Sequence, residues 1–204
     1  MGFYGDQVVP RMINLCCGSK GMNKLRSRAC AGLDGDVLEI GFGTGLNLPF
    51  YPEATKRLNA VEPADVGWKL ASARVAAAPF PVQRSGLDGQ SLPFDDETHD
   101  SALSTMTLCT IPDADAALRE VYRVLKPGGR FHFMDHGLAP DAKVQRWQRR
   151  IEPVQKRLFA GCHVTRPIAE MVTSAGFTIT EIDEFYMEGP KTLGALSIGV
   201  AVRA

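Results

Sequence analysis

What this chain has little of narrows its function before any motif is read. Neither charge is in excess: 23 Lys and Arg balance 23 Asp and Glu across 204 residues. No basic field therefore invites nucleic acid, and none points to a strongly anionic membrane. Cysteine is sparse. Cys16, Cys17, Cys30, Cys109 and Cys162 are an odd five without Cys-x-x-Cys spacing, which fits free thiols in a reducing compartment and gives no zinc signature. No apolar run approaches the roughly 20 residues of a membrane helix, and no charged segment leads into an apolar stretch with a cleavage site. The expectation is a cytoplasmic protein without an integral membrane segment. Met1-Gly2 begins like an acylation signal, but Asp6 stands where that motif needs a hydroxyl residue. Internal repeats and low-complexity linkers are also missing.

What remains is an alternating pattern on a chain of single-domain length, 1–204. Residues 1–33 read as two short helices broken at Gly18 and Gly21, placed to form a lid. From Val37 the pattern predicts a strand near 37–40, a helix near 45–51, a strand near 58–62, a helix near 64–77 and a short strand near 81–84. A strand at 100–105, a helix at 113–125 capped by Asp113, a Lys126-Pro127-Gly128-Gly129 turn and a strand at 130–135 follow. Such alternation means a parallel sheet with crossovers. The segment 137–176 turns polar and Arg-rich, with a helix from Val144 to Ile151 and another from about Pro167 to Ala175. Finally, 177–185 and 193–202 read as two strands separated by Gly189-Pro190, an antiparallel hairpin added to the parallel set.

The sharpest motif is Val37-Leu38-Glu39-Ile40-Gly41-Phe42-Gly43-Thr44-Gly45, with Glu62 lying 21 positions after Gly41. A buried strand, a glycine turn and a carboxylate ending the next strand are what a fold needs to hold an adenosine-type cofactor. Glycine lets the backbone turn sharply and approach a ligand, and a carboxylate accepts from both ribose hydroxyls. A nicotinamide enzyme opens on a similar Gly-x-Gly-x-x-Gly, but here the third glycine falls at Gly45, one position too early.

Together with Leu92-Pro93-Phe94-Asp95 and the run Leu118 to Gly129, these residues resemble the class I S-adenosylmethionine-dependent methyltransferases, in the branch of the ubiquinone and menaquinone enzymes. A narrower likeness is carried by Thr107-Leu108-Cys109-Thr110-Ile111, Phe133-Met134-Asp135-His136, Trp147-Gln148 and Gly161-Cys162-His163-Val164-Thr165-Arg166. These resemble the small alkyl-thiol S-methyltransferases and their phospholipid methyltransferase-like relatives. The membrane anchor of the animal members is not carried over. The resemblance implies a Rossmann-like α/β fold: a seven-stranded, mostly parallel sheet with an antiparallel C-terminal strand, helices on both faces, and the cofactor core over 34–136.

It also implies roles. Gly41, Gly43, Thr44 and Gly45 shape the loop under the methionine part of S-adenosylmethionine, Glu39 braces it, Asn47 adds a polar contact and Glu62 holds the ribose. Asp88, Gly89 and Gln90 stand where the family faces adenine; Thr105 faces the methionine moiety and Tyr4 closes over the cofactor. At the carboxyl end of the fifth strand, His136 is expected as a base or substrate orienter supported by Asp135. His163, Arg166 and Trp147 are candidates for the acceptor pocket. A metal grouping of His136, His163 and Cys162 lacks ligand-type spacing, so no metal is expected. Cys109 reads as a small buried residue. Around Trp147, Arg146, Arg149 and Arg150 make either a solvated helix face or a face that meets anionic lipid or substrate. The partner expected is a small methyl acceptor, with sulfur as the first nucleophile. A lipid headgroup amine, a quinone-like carbon or oxygen, and a cofactor-binding protein without turnover are the alternatives.

Overall fold

The computed structural model describes residues 19–158 and 161–204. Seven strands build one sheet: β1 Gly35–Ile40, β2 Thr55–Val61, β3 Val82–Gly86, β4 His99–Thr105, β5 Leu125–His136, β6 Phe177–Tyr186 and β7 Ala195–Arg203. Their order is β3-β2-β1-β4-β5-β7-β6. β1 to β5 are parallel, while β7 runs antiparallel to β5 and to β6. Among the described residues the α-helices are α1 Lys20–Cys30, α2 Asp65–Ala76, α3 Ala114–Val124, α4 Ala142–Leu158, α5 Ile168–Ser174 and the single turn α6 Lys191–Gly194. This is the expected seven-stranded, mostly parallel sheet with its reversed C-terminal strand.

Alternation along the central strands divides the core into two layers. Leu38, Ala102, Phe131 and Phe133 face α3 and α5, meeting Leu118, Val121, Ile168 and Val172. Val37, Leu58, Leu103 and Met134 face the other way, toward Met22, Ala29 and Cys30 of α1 and Ala71 of α2. α3 forms because Asp113 caps it, accepting the Ala116 N–H at 2.9 Å, and because Ala114, Ala117, Leu118, Val121 and Val124 recur on one face. Cutting back a fully buried residue such as Leu118 to Ala would cost about 2–5 kcal/mol.

Several local expectations change. The helix near 45–51 shrinks to a 3-10 turn at Leu48–Phe50, because Gly45 takes φ +72° and Pro49 offers no donor. Gly21 breaks no helix among the described residues. It sits in the first turn of α1, which Ser19 caps by accepting the Met22 N–H at 3.3 Å. The rest of the expected lid, with Tyr4, Cys16 and Cys17, lies outside the described residues. Lys126 to Gly129 is absorbed into β5 as an irregularity, where register against β4 shifts between His99 and Ser101 and Gly128 takes φ +77°. α4 is longer than expected at both ends.

The topology fixes where a ligand goes. From β1 the chain proceeds outward to β2 and β3, then returns to place β4 on the other side of β1. The crevice at the carboxyl ends of β1 and β4 is this switch point, the place where open α/β sheets bind ligands. Met106, the residue after β4, holds φ +56° there, and such strained conformations concentrate at functional sites.

Candidate active site

On the β1 side, three glycines in the left-handed region turn the chain: Gly41 at φ +69°, Gly43 at +60° and Gly45 at +72°. They are not equivalent. A Cβ on Gly41 would come within 2.0 Å of the Thr107 hydroxyl, and one on Gly45 would press Phe42, Leu48 and Ala71. At Gly43 the nearest atom to an added Cβ is the Gly41 carbonyl at 3.9 Å, so a methyl there would clash with no protein atom. The Gly43 N–H donates to one Glu62 oxygen at 2.6 Å and the Ala64 N–H to the other at 2.7 Å. Burial raises the Glu62 pKa in spite of these two donors.

Beneath the loop lies a buried polar network. Glu39, fully buried, accepts from Asn47 Nδ2 at 2.6 Å and from the Tyr51 hydroxyl at 2.7 Å. Asn47 Oδ1 accepts from Arg26 at 2.6 Å, and Asn47 Nδ2 also reaches the Thr105 hydroxyl at 2.8 Å. Burial pushes the Glu39 carboxyl up to about 7, outweighing the two hydrogen bonds and the Arg26 charge. Thr44 is buried, and its carbonyl receives Arg74 at 3.0 Å. After β3, Asp88 accepts from both the backbone and the side-chain amide of Gln90 at 2.9 Å. Gln90 in turn accepts the Asp113 N–H at 2.9 Å, tying this loop to the start of α3, while Gly89 lies against Ile40 and Ile111.

The β4 and β5 ends carry a second cluster. Cys109, His136 and Cys162 bring their ligand atoms within 4.8 Å of one another. Both sulfurs belong to buried residues, and neither ring nitrogen of His136, both inaccessible, meets hydrogen-bond geometry. The Cys109 thiol and His136 together lower the Cys162 pKa against the effect of burial, while Cys109 itself is pushed well up. The two cysteine segments are stitched together: the His163 N–H donates to the Cys109 carbonyl at 2.7 Å, and Arg166 donates to the carbonyls of Leu108 and, at 3.1 Å, Pro112.

Several predicted residues thus take other partners. Asp135 turns to the Cys109 N–H at 3.2 Å and the Ser104 hydroxyl at 3.3 Å rather than hydrogen bonding to His136; burial lifts its pKa to about 6. His163 pairs with Glu152 at 2.9 Å and stands outside the three-residue group that His136 forms. Arg166 is engaged as a brace of the loop. Trp147 is 57% exposed, with Arg150 stacked on its ring at 5.3 Å. Sequence reasoning missed Arg26 and Tyr51, which carry no motif, and gave Cys109 only a packing role. Its position just past β4, beside the end of β5, was the available clue.

This fold and this glycine cradle define a class. The methyltransferase domain family matches residues 38–133, just under half of the chain, and this match together with the fold supports a class I S-adenosylmethionine-dependent methyltransferase. Within that class it is similar to thiol S-methyltransferase TMT1B of Rattus norvegicus, at 32% identity over 72% of this chain and 62% of that protein. Thiol S-methyltransferase TMT1A of Homo sapiens is 32% identical over 70% of this chain and 59% of its own length. The chain therefore spans about six-tenths of the curated relatives it matches. Its backbone also superposes on a geranyl diphosphate methyltransferase solved with SAM, at a TM-score of 0.69 and 10% identity, covering 90% of this chain and 85% of that one.

Proposed function

We propose that this chain transfers a methyl group from S-adenosylmethionine to a small thiol. The observation that carries the cofactor half is Gly43: a left-handed glycine at the switch point with no atom closer than 3.9 Å to the place of a side chain, its N–H held by the buried Glu62 carboxylate. A side chain there would fill the cradle. Bound in it, S-adenosylmethionine supplies an electrophilic methyl on a sulfonium. Glu62 keeps lone pairs for ribose hydroxyls, Asp88 and Gly89 border the adenine end, and Thr105 borders the methionine end. Glu39, Asn47, Tyr51 and Arg26 hold the loop rigid from below.

Displacement at a methyl carbon needs alignment and exclusion of water more than it needs acid-base groups. A thiol, with a pKa near 8.5, needs only a modest basic or cationic neighbour to react as thiolate. His136 with Cys109 and Cys162 supplies that neighbourhood, and Asp135, Arg166 and His163 position it. Similarity to two thiol S-methyltransferases over about seven-tenths of the chain supports sulfur as the acceptor atom. One observation favours a second reading: Trp147 and Val154, 57% and 61% exposed on α4 among Arg146, Arg149 and Arg150, suit a lipid headgroup amine at a membrane surface. No described helix is long and apolar enough to cross a membrane.

Incubation with methyl-labelled cofactor and a panel of thiols, amines and phenols tests the proposal. A labelled thioether supports it; label on lipid amines moves the assignment to the second reading. Saturable cofactor binding with no product on any acceptor would mark a binding protein without turnover.

A further inference from the structure

We infer that Cys109, His136 and Cys162 form a binding site for a zinc-class divalent cation, which holds the acceptor thiol as its fourth ligand. Two thiolates and an imidazole are the donor set that a borderline-soft tetrahedral cation selects. Zinc–sulfur bonds of about 2.3 Å place tetrahedral ligands roughly 3.8 Å apart, so a group already within 4.8 Å needs only small side-chain shifts to close on the ion.

The surroundings are those of a built site. Metal-ligating residues are characteristically oriented by outer partners, and here the buried Asp135 carboxylate takes the Cys109 N–H at 3.2 Å. The His163 N–H on the Cys109 carbonyl and Arg166 on the Leu108 carbonyl lock the Cys162 loop against the Cys109 segment. Val164 and Leu193 pack with Cys109 and Cys162 and keep the surroundings apolar. The His136 ring, with two inaccessible nitrogens that lack hydrogen-bond geometry, has a donor atom to offer. No motif marks the site, because its ligands come from the end of β5, the loop after β4 and the loop before α5.

Three protein ligands leave one tetrahedral position, the arrangement of catalytic rather than structural zinc. This part of the inference rests on the thiol-transfer reading. Binding there is a ligand exchange: R–SH replaces a water on the cation and releases its proton to solvent as the metal–sulfur bond forms, with no change of oxidation state. The acceptor is then present as a metal-bound thiolate at neutral pH, beside the switch-point crevice.

The test uses the whole chain, loaded with Zn2+ or Co2+ and passed over a chelating resin. Wild type is expected to retain one equivalent and, with Co2+, to show thiolate-to-metal charge transfer with the strong d–d bands of four-coordination. Cys162→Ser, Cys109→Ser and His136→Ala, with folding checked by circular dichroism, should each weaken binding by more than the roughly 10–100-fold that losing an outer partner costs. Phenylmethanethiol should shift the d–d bands of the cobalt protein. Failure of wild type to retain cobalt, which needs no variant, overturns the site; retention unchanged in all three variants does the same. A cobalt spectrum indifferent to the thiol overturns the acceptor role. Methylated thiol formed equally fast by metal-stripped protein sinks this inference and leaves the thiol reading standing. Tight cobalt binding with no thiol methylated sinks the thiol reading instead.

Discussion

The Asn47 side chain bonds to Glu39 through its amide nitrogen at 2.6 Å, and to Arg26 through its oxygen at 2.6 Å. One neutral side chain thus stands between a buried carboxyl and a buried guanidinium and bonds to both. Asn47→Leu removes a partner from Glu39, Arg26 and Thr105 at once, and should cost about 3 kcal/mol or more in urea unfolding. Asn47→Asp keeps the shape but sets a second carboxylate against Glu39, so its loss should be large at pH 8 and partly recovered at pH 5, where one proton is shared. Equal stability of Asn47→Asp at both pH values would refute the arrangement.

Glu39 gives the base side of the stability profile its sign. Its folded pKa of about 7 lies above the ordinary 4.5, so the native state holds this proton more tightly than the unfolded chain does. The group's contribution is complete below pH 4.5 and fades as pH rises to 7. Glu39→Gln cannot titrate, so between pH 5 and 8 its unfolding free energy should fall less than wild type's, by up to about 3 kcal/mol. Parallel profiles would contradict this.

His132 gives the acid side the opposite sign. It is buried, with Nδ1 at 2.9 Å from the Ala29 carbonyl, and burial holds its pKa down to about 4. A depressed histidine favours the native state above pH 6.5 and loses that advantage as pH falls toward 4. His132→Gln should lower stability at pH 7 yet flatten the fall between pH 6.5 and 4.5 in denaturant titrations. A wild-type acid limb in the variant would assign that limb to other groups.

The strand set was legible because burial on two faces writes itself as apolar runs, and Asp113 and the glycine turn are local signals. The glycine turn after β1 was legible because Glu39 to Gly45 is contiguous. What escaped was long-range. Arg26 meets Thr105 across 79 positions, and Cys109 meets Cys162 only after the sheet has set β4 beside β5. Asp135, adjacent to His136 in sequence, gives its carboxylate to the Cys109 N–H and the Ser104 hydroxyl, partners 26 and 31 positions away. Helix 45–51 failed because periodicity ignored the left-handed Gly45.

Gly41 and Gly43 share a backbone region and should respond differently to a methyl group. Gly41→Ala collides with Thr107, so about 3 kcal/mol of stability should be lost, and cofactor binding with it. Gly43→Ala meets only the Gly41 carbonyl at an ordinary 3.9 Å and carries left-handed strain of about 1–2 kcal/mol. Its methyl enters the cradle instead, so S-adenosylhomocysteine affinity by calorimetry should drop at least tenfold in a folded protein. A Gly43→Ala chain that binds normally would move the cofactor elsewhere.

Glu62 separates holding the loop from holding the ligand. Each oxygen already takes a backbone N–H, from Gly43 and Ala64, so Glu62→Gln must turn an amide NH2 toward one of two donors. One of those bonds is lost, and the acceptor capacity left for a ribose is halved. Hydrogen bonds to charged groups contribute about 1.5–3 kcal/mol, so cofactor affinity should fall roughly 10- to 150-fold. Deleting a ribose hydroxyl from the ligand provides the decisive comparison. If Glu62 grips the sugar, a 2′-deoxy analogue loses most of its penalty in Glu62→Gln, because the partner it lacks is already gone. If the carboxylate only braces Gly43 and Ala64, the deoxy penalty is the same in variant and wild type, and the ribose must be held by another residue.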